Sequence, residues 1–271
     1  MLIETLKKSM KFILNKRSIY LDDSILFQEL NYDEYEKNSD LLDEYLSNHY
    51  DYNHPIKFFS FRKFYKLPKA FENYKHYINN YFPLFSINKD DVVIDVGAHH
   101  GIFTINMAYL GAQVHSFEPN PMSFEILKKN IAVNKFAHVP IINNFAVSNI
   151  NHKTVNFDLG VRSTAGSIKV LKNESLQSGK KIEVNTINID QYIKDTQLTK
   201  IKLLKIDCEG AEYDIINFSQ RLNNIEYLIV EAHETLDNEP NDLIKVLSIK
   251  GFEINKIKAN YGAYELYCRK K

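Results

Sequence analysis

The spacing of apolar residues changes near residue 88. Residues 2–14 place Leu2, Ile3, Leu6, Met10, Ile13 and Leu14 on one helical stripe, with Lys7, Lys8 and Lys11 elsewhere. That pattern predicts an amphipathic helix, seated on the body, on a partner subunit or on a membrane surface. Residues 22–50 are acidic with Tyr and Leu at helical spacings, which predicts further helices. Residues 55–65 interleave bases with aromatics and suit a strand, a substrate-facing lid or a half-buried packed segment.

Beyond residue 88 short apolar runs alternate with helical stretches. Val92-Val93-Ile94-Asp95-Val96-Gly97 is β-branched and ends on glycine, as a buried parallel strand does. Helices are expected over roughly 101–111, 121–134, 189–195, 211–221 and 240–250, the last ending at Gly251. Further strands are expected over Gln113–Phe117, 138–147, Lys202–Ile206, Tyr227–Ala232, 252–258 and 263–269, the last two close enough to pair antiparallel. Residues 153–189 read as a hairpin-like insertion. Strands alternating with helices predict an α/β fold, a mostly parallel sheet covered on both faces. The expected division is a mainly helical extension, 1–85, and an α/β domain, 86–271.

Composition narrows the function. Among 271 residues, 34 Lys+Arg balance 34 Asp+Glu, which weighs against a dedicated nucleic-acid binder. A hydrophobic content of 44 % supports a folded core. Two cysteines, Cys208 and Cys268, exclude a disulfide framework or a Cys-based structural zinc site, and point to the cytoplasm. No apolar run approaches the roughly 20 residues of a membrane span, and no apolar segment follows Lys7 and Lys8 as a secretory signal would require.

The candidate chemistry lies at strand ends. In Asp95-Val96-Gly97-Ala98-His99-His100-Gly101, small residues let a ligand approach the backbone, and the helix start offers N–H groups. The third glycine of a dinucleotide fingerprint and the Lys-Ser/Thr of a phosphate loop are both missing. Asp95 would repel a phosphate and suits a positively charged ligand. Glu118, in Phe117-Glu118-Pro119-Asn120-Pro121, follows the glycine loop by about 20 residues, where an acid at a strand tip accepts both ribose hydroxyls. Asp207, Glu209 and Glu212 follow one later strand; Glu231, His233 and Glu234 follow the next.

These stretches resemble S-adenosylmethionine-dependent methyltransferases of the seven-stranded, Rossmann-like class, and more narrowly the FkbM family. The resemblance runs through Val93–Gly101, Phe117–Pro121, Leu127-Lys128-Lys129-Asn130, Asn144-Phe145-Ala146-Val147-Ser148, Leu204-Lys205-Ile206-Asp207-Cys208-Glu209-Gly210-Ala211-Glu212 and Ile229-Val230-Glu231-Ala232-His233, over about residues 85–250. It implies methyl transfer from S-adenosylmethionine to an oxygen of a sugar, glycan or related small molecule. It also implies that Asp95, Gly97, Ala98, His99 and Gly101 lie at the methionine end, and that Glu118 holds the ribose with Asn120 nearby. Asn144 and Phe145 would border the adenine, and Asp207 would sit beside the cofactor.

Asp207, Glu209, Glu231 and His233 are the candidate catalytic residues. His233 or Asp207 could act as general base, or Asp207, Glu231 and His233 could hold a divalent metal such as Mg²⁺. These two readings stay open, beside a third in which several of the acids cap helices or pair with Lys205. Glu212 is read as more structural than catalytic. His100 is read as a packed or solvent-facing side chain. Arg162-Ser163-Thr164 is either an acceptor contact or a surface turn. The alternatives to sugar O-methylation are an RNA ribose 2′-O-methyltransferase, disfavoured by the zero net charge, and a non-catalytic module. The extension, 1–85, would serve acceptor recognition or homo-oligomerisation.

Overall fold

The computed structural model describes residues 87–160, 165–173, 175, 177–258 and 263–271, together with two short strands nearer the N-terminus. The chain forms two compact units, Met1–Asn80 and Tyr81–Lys271. In the first, Ile25–Leu26 pairs antiparallel with Phe64–Tyr65, at the end of the basic-aromatic stretch. The helix expected over 2–14 lies outside the described residues, as does Arg162-Ser163-Thr164; within 22–50, expected to be helical, the described residues Ile25–Leu26 form a strand instead.

The second unit carries the site. Its elements in chain order begin with β1 (Val92–Val96), α1 (Ile102–Tyr109), β2 (Gln113–Phe117) and α2 (Pro121–Ala132). Then come β3 (Ile141–Asn143), β4 (Ala146–Ser148), β5 (Thr154–Asp158), β6 (Lys181–Asn188) and α3 (Ile189–Asp195). The chain continues through β7 (Ile201–Ile206), α4 (Glu212–Phe218), β8 (Ile225–Ala232), α5 (Pro240–Ile249), β9 (Phe252–Lys258) and β10 (Tyr264–Lys270).

Seven strands form one sheet in the order β9-β10-β8-β7-β1-β2-β3. From β8 to β3 every pair is parallel, and β10 pairs antiparallel with both β8 and β9. The chain starts at the centre, builds outward through β2 and β3, then returns to the other side of β1 with β7. The C-terminal ends of β1 and β7 therefore diverge at a topological switch point, where open α/β sheets take their ligands.

Helices cover both faces because alternate strand residues point opposite ways. Ile94, Val96, Leu204, Ile206, Leu228 and Val230 belong to a buried cluster completed by Ile193 of α3, Ile216 of α4 and Leu243 and Leu247 of α5. On the opposite face α1 reaches down to Asp95 through Thr104, and α2 brings Leu127 against Gly101. Helix starts follow their local chemistry. Asn120 caps α2 by accepting from the Met122 N–H, with Pro121 next, and Asn188 caps α3 through the N–H groups of Asp190 and Gln191. Gly251 takes the left-handed conformation (φ 80°) just past α5, as its sequence position predicts.

The structure splits the strand expected over 138–147. Residues 141–143 close the main sheet, while 146–148 join a second sheet of order β4-β6-β5. The break falls at Asn144, whose side-chain amide donates to the carbonyls of Glu118 (2.8 Å) and Pro119 (3.1 Å). This asparagine satisfies backbone groups of a neighbouring strand exit, so the run bends there. The insertion is the antiparallel pair β5–β6.

Gly97 is fixed by packing as well as by conformation. It sits at φ 79°, and a Cβ there would lie 1.7 Å from the Asp207 carbonyl oxygen. Replacing Gly97 with Ala is expected to cost on the order of 3 kcal/mol or to prevent folding, by overpacking and left-handed strain together. The urea midpoint of the purified variant measures this; an unchanged midpoint would show that β1 and β7 do not meet as closely as described.

Candidate active site

The β1 exit is a tight loop. The N–H groups of Gly97 and Ala98 both donate to the Phe117 carbonyl (3.0 and 2.9 Å), tying this loop to the end of β2. His99 (φ 51°) and Gly101 (φ 88°) are left-handed. A histidine in that region carries strain of about 1–3 kcal/mol, which clusters at functional loops. The His99 N–H donates to Glu118 Oε2 (2.7 Å) and the Asn120 N–H to Glu118 Oε1 (2.8 Å). Glu118 thus joins the two loops. Burial, outweighing these hydrogen bonds, pushes its carboxyl up to about 7. His100 is buried, stacked on His99 with ring centroids 3.6 Å apart, and its carbonyl accepts from Asn130. The ring is packed rather than solvent-facing.

Asp95 and Lys205 face each other in register across β1 and β7, both buried. Lys205 Nζ lies 3.3 Å from Asp95 Oδ1, 3.4 Å from the Gly97 carbonyl and 3.3 Å from Asp207 Oδ2. Thr104 donates to the other Asp95 oxygen at 2.6 Å and lies 2.7 Å from Ser116 Oγ. The row Lys205–Asp95–Ser116 crosses three strands. It occupies Asp95, so Asp95 shapes the loop from beneath through its partners.

Beyond β7 and β8 a dense carboxylate group surrounds one imidazole. Glu209 (φ 52°) and Gly210 (φ 103°) turn the chain so that carboxylates from 207, 209 and 212 converge. His233 Nδ1 is 3.1 Å from Glu212 Oε1; its Nε2 is 3.3 Å from Glu209 Oε2 and 3.7 Å from Glu231 Oε1. Tyr213 donates its hydroxyl to the His233 carbonyl (2.8 Å), fixing the β8 exit. The crowding shows in the protonation. The Asp207 charge, followed by burial, pushes Glu231 up to about 8, and burial foremost pushes Glu209 up to about 7. Burial opposes charge on His233, but Glu212, Glu209 and Glu231 prevail and raise it well above its ordinary value. Cys208 is held well above the ordinary thiol value by burial and then by Glu212 and Asp207, so it is an unreactive thiol.

The structure thus brings Asp207, Glu209, Glu231 and His233 together. It sets Asp95, Gly97, Ala98, His99, Gly101 and Glu118 at the adjoining loops. Asn120 is engaged as the α2 cap and Asn144 as a backbone tie, while Phe145 packs half-buried against the core. Two residues named in the sequence take parts that it did not specify. Glu212 sits in the first turn of α4, where an acid reads as a helix-dipole partner. Lys205 reads as a partner of the acids after its own strand; the register adds Asp95 opposite it. Ser167, from the insertion, donates its hydroxyl to the Glu209 carbonyl, a long-range contact without a local signal.

Asp207, Glu231 and His233 each offer one ligand atom, all within 4.8 Å of one another. Two carboxylates and an imidazole form a mixed oxygen–nitrogen set able to take a divalent cation. Among the described residues no helix is long and apolar enough to cross a membrane.

This sheet order, with a glycine loop after the first strand and acids on the neighbouring strand tips, is the Rossmann-like fold of the S-adenosylmethionine-dependent methyltransferases. Residues 95–254, more than half of the chain, match the methyltransferase FkbM domain, and the chain belongs to that family. It is 27 % identical over 161 residues to the hexuronic acid methyltransferase AglP of Haloferax volcanii, a match covering 59 % of this chain and 62 % of that protein, under two thirds of its length. It is 24 % identical over 191 residues to the 31-O-demethyl-FK506 methyltransferase FkbM of Streptomyces tacrolimicus, covering 60 % of this chain and 73 % of that protein. Among solved structures, the magnesium protoporphyrin IX methyltransferase of Synechocystis PCC 6803 with bound SAM superposes at a TM-score of 0.41 and 14 % identity, over 75 % of this chain and 79 % of that one.

The residues fit the cofactor of this class. Glu118 offers carboxylate oxygens suited to a ribose diol, and the carboxylates of Asp207 and Glu231 complement the positive charge of a sulfonium.

A pH dependence follows. Glu118, Glu209 and Glu231 have carboxyls raised from about 4.5 to about 7, 7 and 8 in the fold. An acid raised on folding stabilises fully below its unfolded value, and that stability is lost as pH rises through the folded value. His233, also raised, acts in the same direction. The ligand-free protein should therefore lose thermal stability as pH rises from about 5 to 8.5, and Glu231→Gln should flatten the slope. Scanning calorimetry across that range checks both; a Tm rising over the window would contradict the described crowding.

Proposed function

We propose that the protein is an O-methyltransferase that moves a methyl group from S-adenosylmethionine to a hydroxyl of a sugar, glycan or related small molecule. The observation that carries this is the imidazole of His233, bracketed by carboxylates at the exits of β7 and β8. When bound, S-adenosylmethionine supplies a methyl carbon made electrophilic by the adjoining sulfonium. The chain's own residues then have three tasks. Glu118, positioned by the His99 and Asn120 N–H groups, holds the ribose. Asp207 and Glu231 supply negative charge toward the sulfonium side. Asp207, or His233 Nε2 once the ring has given up its second proton to the surrounding carboxylates or solvent, receives the acceptor's proton, since a sugar hydroxyl is a poor nucleophile until that proton leaves. Asp207, Glu231 and His233 are equally the residues that would hold a divalent cation, whose contribution would be to acidify the acceptor hydroxyl.

The relatives support an oxygen acceptor without choosing one. By their names, one acts on hexuronic acid and the other on 31-O-demethyl-FK506. The insertion is the part of this unit suited to receive the acceptor. Its Leu171 bridges to Thr235 after β8, and exposed Val170 and Leu236 stand together there. Residues 1–85 would add acceptor recognition or self-association. The free cysteines Cys208 and Cys268 support a reducing, cytoplasmic setting.

Isothermal calorimetry with S-adenosylmethionine should show one site. Glu118→Ala should weaken it about tenfold or more, each tenfold being about 1.4 kcal/mol, with the circular dichroism spectrum unchanged. Turnover over a panel of sugar nucleotides, glycans and RNA, with Mg²⁺ or with a chelator, then tests the acceptor. Methylated sugar is the expected product, and loss of turnover under chelation assigns the cation in place of the base. Folded protein that fails to bind the donor, or that methylates only RNA, would overturn the proposal.

A further inference from the structure

Glu212 has no task in the scheme above, yet it is fully buried within the site. Its Oε1 accepts from the His233 backbone N–H at 2.6 Å and lies 3.1 Å from His233 Nδ1. Its Oε2 accepts from the Gly210 N–H at 2.7 Å and from the Cys208 thiol at 3.7 Å. One carboxylate therefore ties the β7 exit loop to the β8 exit and grips the imidazole by a defined nitrogen. Capping does not require this. The carboxylate points across to another strand, whereas an acid that serves only the helix dipole stays in the solvent around its own first turn.

We infer that Glu212 is the positioning residue of His233, keeping a proton on Nδ1 so that, when the ring is neutral, Nε2 carries the working lone pair on the side of Asp207 and Glu231. The inference rests on the reading of His233 as base or cation ligand, and it holds for both, because each needs Nε2 as acceptor. The logic is general: the partner of one ring nitrogen sets the tautomer and aims the other. The geometry supports this assignment. Nδ1 faces a carboxylate that already accepts two backbone N–H groups, and Nε2 faces the side where Glu209, Glu231 and Asp207 converge. Lys205 is engaged by Asp95, Gly97 and Asp207, while the Glu212 oxygens are engaged by the His233 and Gly210 N–H groups and by the ring at Nδ1.

The test combines spectroscopy with kinetics. Long-range ¹H–¹⁵N correlation of histidine-labelled protein, at a pH where the ring is neutral, should show His233 as the Nδ1–H tautomer. Glu212→Gln should lose that single tautomer and lower kcat about 10–100-fold, with the KM for S-adenosylmethionine within about twofold. The double variant Glu212→Gln/His233→Gln should be no slower than His233→Gln alone. An Nε2–H tautomer in the wild type would overturn the inference. So would an unchanged spectrum and kcat in Glu212→Gln, or multiplicative losses in the double variant. If Glu212→Gln does not fold, the wild-type tautomer alone decides. If the wild type methylates nothing, the proposed function fails while the tautomer still decides the role of Glu212.

Discussion

Negative charge concentrated at the C-terminal edge of the sheet is the constraint around which this unit is built. Asp95, Glu118, Asp207, Glu209, Glu212 and Glu231 converge on the exits of four neighbouring strands. Among the described residues, Lys205 and His233 are the groups set directly against them. Lys205 is the fixed counter-charge. Buried between Asp95 and Asp207, it makes the meeting of β1 and β7 tolerable, and removing one partner of such a pair costs about 3–5 kcal/mol. His233 is the adjustable counter-charge, gripped by Glu212 and faced by Glu209 and Glu231. The remaining imbalance is a standing preference for a cation.

Topology explains why the charge can be placed there. Strands that are apolar on both faces pack into helices, so chemistry is confined to their ends. The switch point separates the exits of β1 and β7 and leaves a crevice between their loops. Left-handed residues at 97, 99 and 101 on one side, and at 209 and 210 on the other, turn both loops sharply. The approach of Gly97 to the Asp207 carbonyl then locks one loop against the other. Fold and site share the same contacts.

Much of this was legible in the sequence, because it is carried by local signals. The β-branched run ending at Gly97, the acid at 118 and the acids after β7 and β8 announce strand tips, and the parallel sheet follows from the alternation. What stayed hidden depends on register. Nothing near Lys205 says that Asp95 lies directly opposite, and nothing near Glu212 says that its carboxylate reaches β8 rather than solvent. Asn144 shows the same limit. It lies in an apolar run that reads as one strand, and its hydrogen bonds to Glu118 and Pro119 divide that run between two sheets. The insertion was visible as β-like turns, but the seat of Ser167 on Glu209 was not.

These carboxylates await a positively charged ligand. Proton release on binding S-adenosylmethionine measures this most directly, from calorimetric enthalpies at about pH 7.5 in buffers of different ionisation heat. Glu231 and Glu209, held near 8 and 7 in the free protein, should ionise as the sulfonium arrives, so binding should release protons and its enthalpy should depend on the buffer. Binding with the same enthalpy in every buffer would contradict the claim.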